Sequence, residues 1–133
     1  MHAVVAPLAY CLQTASGRCY LRVLQHFVDE PTMAPPLSET GSDVSSLTRT
    51  TAHLTKLVEH FPPPLMTERA GQVTSFLLRA IADRATDLDT GDRRHSRINH
   101  DAFVENLVDV LLAVLVADPS PETTEALGRH KRS

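Results

Sequence analysis

The segment His100–Val116, HDAFVENLVDVLLAVLV, ends in seven residues with no polar side chain, Val110 to Val116. A surface helix of a globular protein keeps one polar face toward water. A helix that gives most of it up has to bury two sides at once. On a wheel of about 100° per residue, Phe103, Leu107, Val110 and Val114 form one seam. Val104, Val108, Leu111 and Leu115 form a second, about 100° away. Asp101, Glu105 and Asp109 lie opposite and make a narrow solvated stripe. Two adjacent seams predict two partners for this helix, the chain's own core and another subunit.

The remaining pattern is helical as well, and no alternating run bounded by turn residues reads as a strand. The chain opens on an apolar stretch, Ala3–Gln13, that begins in mid-pattern, as though an upstream part were absent. Ser16-Gly17 breaks it, with Ser16 the candidate N-cap of a second helix, GRCYLRVLQHFVDE, whose Tyr20, Leu21, Leu24, Phe27 and Val28 share a face. Three prolines and a glycine at 31–42 mark a hinge. A third helix is expected from Asp43 to about His60, carrying Thr48, Thr51, Leu54 and Thr55. The prolines 62–64 end it and start a fourth, about 64–88, since proline fits a helix's first turn. That helix is broadly apolar around Phe76–Ala82, and Gly71 and Ser75, four residues apart, would let another helix approach closely. A polar loop at 89–98 precedes the fifth helix, about 99–117, which Asn99 caps and Asp101 favours near its positive end. Residues 118–133 read as a flexible tail with a short helix at most. Two adjacent helices with excess apolar surface, doubled by a two-fold axis, make a four-helix bundle. The fold expected is therefore an all-α homodimer of about five helices per chain.

Composition narrows the function. The 133 residues suit one domain, and 42% hydrophobic with 22% charged residues place it among globular chains. A net charge of −3, with 11 arginines and 2 lysines, gives no basic stripe for nucleic acid. The apolar run at 110–116 is too short for a membrane span of roughly 20 residues, and Asp118-Pro119 ends it. With no basic n-region at the start, Cys11 and Cys19 read as two free thiols of a cytoplasmic protein, although their spacing would also permit a small disulfide loop.

Little points to catalysis. The five glycines form no phosphate-binding loop, and no nucleophile elbow occurs. His53 and His60, seven apart, sit two turns from each other, about 10 Å in rise, too far to share an ion unaided. The carboxylate line Asp101, Glu105, Asp109 is the solvated stripe of a buried helix rather than a cation site. No enzyme, no metal and no cofactor are expected. Arg79, inside SFLLRAIA, either projects into a ligand cavity or extends past its neighbours to water.

The segments SGRCYLRVLQHFVDEP, PPLMTERAGQVTSFLLRAIADRATDLD and NHDAFVENLVDVLLAVLVA resemble the C-terminal regulatory region of TetR-family transcriptional regulators of actinobacterial type, in helix order and character over about residues 1–117. The resemblance implies a domain that binds a small effector and dimerises through its last two long helices. The family's helix-turn-helix DNA reader has no counterpart here, because only sixteen residues precede the second helix. No sequence-specific DNA binding is expected from this chain alone, and it would act as a homodimer or as a mixed dimer with a full-length relative. An effector would lie where Tyr20, Leu24, Phe27, Thr51, Leu54, Phe76 and Arg79 converge, between the second, third and fourth helices. The dimer face would use Gly71, Ser75, Leu78, Phe103, Leu107, Val110, Leu111 and Val114. The competing readings are a stand-alone helical protein-interaction module unrelated to transcription and, more remotely, a small enzyme.

Overall fold

A computed structural model describes residues 1–29, 60–91 and 98–130 of the chain, with side chains at 1–26, 60–91 and 98–129. The helix expected over 43–60, with Thr51, His53 and Leu54, lies outside them except for His60. The described residues form five helices and no strand: α1 His2–Cys11, α2 Ala15–Asp29, α3 Pro63–Thr90, α4 His100–Val116 and α5 Pro121–His130.

Local chemistry sets most of these boundaries. Pro62 precedes α3 and prolines fill its first positions, where a missing N–H costs nothing. Gly91, at φ 68°, ends it in the left-handed conformation that glycine adopts without a Cβ penalty. The Asn99 side chain accepts a hydrogen bond from Ala102 N at 2.8 Å, so α4 begins on the expected cap. The cap of α2 is different. Thr14 Oγ1, not Ser16, accepts from Gly17 N at 3.1 Å, and the helix starts one residue before Ser16. Where a short helix at most was expected, α5 runs for ten residues. Ser120 Oγ accepts from Thr123 N at 3.2 Å, and Glu122 stands in the first turn. Backbone N–H bonding, and then Ser120, hold the Glu122 carboxyl below its ordinary range.

The long helix α3 is central: α1, α2 and α4 all pack on it, α2 most extensively. Its Val73, Leu77, Ile81 and Ala85 recur every four residues and are buried. They meet Val5 of α1 and Leu12, the residue that caps its C-terminus, Leu21 of α2, Phe61, and Leu107, Val108, Leu111 and Leu115 of α4 in one core. Ile81 and Leu111 have no exposed surface at all. Each such side chain stabilises the fold by about 1.5–3 kcal/mol through burial alone. Two arginine contacts set the antiparallel register of α3 and α4. The Arg84 guanidinium lies 5.1 Å from the centre of the Phe103 ring. At the other end Arg69 Nη1 donates to the carbonyls of Leu115 (3.3 Å) and Ala117, a cation placed on the negative end of α4. The same guanidinium stacks on buried Phe61 at 4.5 Å.

The two seams of α4 do not divide as the wheel suggested. Leu107 and Leu111, assigned to different seams, are both buried in the chain's own core. They are only about 40° apart on the helix, and the long leucine side chain at 107 reaches inward. Of the first seam, Phe103, Val110 and Val114 remain on the outward side.

Two glycines test this packing in opposite directions. A Cβ on Gly17 would sit 2.2 Å from the Cys11 carbonyl oxygen, so the α1–α2 junction admits no side chain. A Cβ on Gly71 would meet nothing within 4 Å. Gly17→Ala should therefore lose about 1–3 kcal/mol by overpacking, and Gly71→Ala should gain about 0.5–1 kcal/mol of helix stability. Urea denaturation measures both; a Gly17→Ala protein as stable as the parent would contradict this junction.

Candidate functional site

The most distinctive surface is the open edge between α3 and α4. Phe76 is 49% exposed and Val114 43%, and Phe103, Val110 and Ala80 are half-buried beside them. In the register set by Arg84 and Arg69, Val110 is level with Phe76. Along this edge runs a groove of about 250 Å³ lined by Phe76, Arg79, Ala80, Asp83, Arg84, Asp87 and Phe103. Small-molecule pockets usually hold about 300–1,000 Å³ and enclose their ligand, so a shallow groove of this size suits side chains of a partner better than an effector.

Two arginines of α3 line it in different states. Arg79 reaches water, 65% exposed, and its Nε donates to Asp83 at 3.1 Å. This is the solvent-reaching alternative for Arg79, not the cavity one. Arg84 is the buried arginine, 9% exposed, with Nη2 donating to the Ile98 carbonyl at 3.0 Å. Its Nε is buried with no hydrogen-bond partner among the described residues. Sequence reasoning missed it, although a signal existed: Arg84 follows Leu77 and Ile81 at seven and three residues, on the inward arc of α3.

Of the seven residues expected around an effector, the four whose side chains are described do not line one site. Phe76 and Arg79 line the α3–α4 groove, while Tyr20, exposed, and Leu24, half-buried, stand on α2 and do not reach it. Thr51, Leu54 and the Phe27 side chain lie outside the described residues. The expected dimer face is also distributed. Phe103, Val110 and Val114 stand on the edge, and Leu107 and Leu111 behind it in the core. Exposed Gly71 and Ser75 and half-buried Leu78 share a different arc of α3, the one carrying Asp89.

Asp89 belongs to the α2–α3 contact. Arg18 Nε donates to its Oδ1 at 2.5 Å and Arg22 Nη1 to its Oδ2. The two arginines pin the turn of α2 that follows the Gly17 junction, so the cluster joins helices rather than forming a ligand site. Elsewhere His2 and Glu105 approach to 3.1 Å on the surface between α1 and α4. Cys11 and Cys19 are not joined. Among the described residues no cluster of His, Cys, Asp and Glu could hold a metal ion, and no helix is long and apolar enough to cross a membrane. No family model, curated protein or solved structure matches the chain.

Hydrogen bonds from Arg18 and then Arg22 hold the Asp89 carboxyl below the usual carboxylate range. A carboxyl with a lowered folded pKa stabilises the fold above its unfolded value, about 3.9, and loses that contribution as the pH falls through the folded value. Asp89→Asn should therefore be less stable than the parent at pH 7, and the gap should close progressively below about pH 4. Denaturation midpoints across pH measure this; a gap that is the same at pH 7 and at acid pH would show that the two arginines do not act through the ionised carboxylate.

Proposed function

We propose that the chain is the effector-binding and dimerisation domain of a TetR-like transcriptional regulator, cytoplasmic and homodimeric, with the α3–α4 edge as its two-fold interface. The observation that carries the dimer is the edge itself. Phe76, Phe103, Val110 and Val114 form a partly exposed apolar strip on α3 and α4, outside the buried cluster that Leu77, Ile81, Leu107 and Leu111 form behind it. Two copies of a helix pair joined through such strips make a four-helix bundle, in which each strip covers its own image. The effector reading is supported by the sequence resemblance. A mixed dimer with a related chain would use the same edge.

The inner and outer sides of α4 should respond differently to a charge. Light scattering should give the parent chain a mass twice 14.6 kDa at micromolar concentration. Phe76→Glu and Val114→Glu should remain helical and run as monomers, since a carboxylate there meets water once the partner leaves. Leu111→Glu places a carboxylate in a site with no exposed surface, at several kcal/mol against a total stability of about 5–15 kcal/mol, and should unfold. A monomeric parent chain at high micromolar concentration would sink the dimer reading.

A further inference from the structure

Arg79 and Asp83 form an ion pair on the α3–α4 edge, one turn apart and flanking Ala80. Within a helix the pair does little. Both groups are well exposed, 65% and 46%, and such pairs contribute little to stability. The cation also stands before the anion, the less favourable order for an i, i+4 pair. Under two-fold symmetry the same two charges acquire another role.

We propose that Arg79 and Asp83 set the register of the homodimer by pairing across its two-fold axis, which passes beside Ala80. This rests on the dimer reading given above. An isologous interface brings residue i against residue j and residue j against residue i. An antiparallel crossing centred between the two charges sets Arg79 against the partner subunit's Asp83 and Asp83 against the partner subunit's Arg79. A parallel arrangement sets like charges opposite each other at both positions and is disfavoured. Ala80, small and half-buried between them, marks where α3 can approach its copy closely, and Phe76, one turn earlier, is covered by the partner. The occupant of this edge is thus a second copy of the chain, since one opposite-charge pair flanking a small residue is complementary to itself.

Charge reversal tests the register separately from dimerisation. Arg79→Asp puts four carboxylates around the axis and Asp83→Arg puts four guanidinium groups there. Each should raise the dimer dissociation constant about tenfold or more at low salt, with helicity unchanged by circular dichroism. Arg79→Asp combined with Asp83→Arg should return it to within about threefold of the parent. The two single variants, mixed with distinguishable tags, should form heterodimers well above the statistical half. A purely intrachain pair predicts no such preference, because each single variant carries two like charges within its own helix. If the parent is a dimer and neither reversal shifts its dissociation constant, or the heterodimer stays at the statistical proportion, the axis lies elsewhere and the register is wrong while the dimer stands. A monomeric parent overturns both.

Discussion

Everything in this chain depends on how α4 buries a helix that is apolar over most of its circumference. Asp101, Glu105 and Asp109 leave it one narrow polar stripe. The antiparallel contact with α3 resolves the inner half: Leu107, Val108, Leu111 and Leu115 close over Val73, Leu77 and Ile81. Arg84 on Phe103 and Arg69 on the last carbonyls of α4 hold the two helices in register at both ends. The α1 and α2 helices add to this pair, α1 through Val5 and its capping residue Leu12, α2 through Leu21 and the two-arginine grip on Asp89. The outer half of α4 remains as a strip continuous with Phe76.

How much of this was legible follows the physics of each signal. The bounds of α3 and α4 came within two residues of expectation, because proline and Asn99 are backbone signals that need no tertiary context. The cap of α2 was displaced because Thr14 and Ser16 are both good capping residues, and the position is decided by the close contact of Gly17 with Cys11. The short helix after Pro119 is polar and gives little burial, and Ser120 caps its first turn.

The candidate site was legible in outline and not in detail. Periodicity identified the apolar excess on the last two helices but placed Leu107 and Leu111 in different roles, since a wheel ignores how far a leucine reaches. It singled out Arg79 by its apolar neighbours in sequence, whereas Arg84 has them in space. The effector residues were drawn from three helices whose mutual rotation a sequence does not encode, and the described ones fall on two separate surfaces.

The central claim is that the inner side of α4 is satisfied within one chain and the outer side by a second copy. Hydrogen exchange followed by mass spectrometry while the protein is diluted tests this most directly, because it reports protection segment by segment. The account predicts that dilution lowers protection at 76–83 and 103–114 while α1 stays unchanged, the monomer remaining folded on its own core. Protection that is independent of concentration throughout the chain would contradict it.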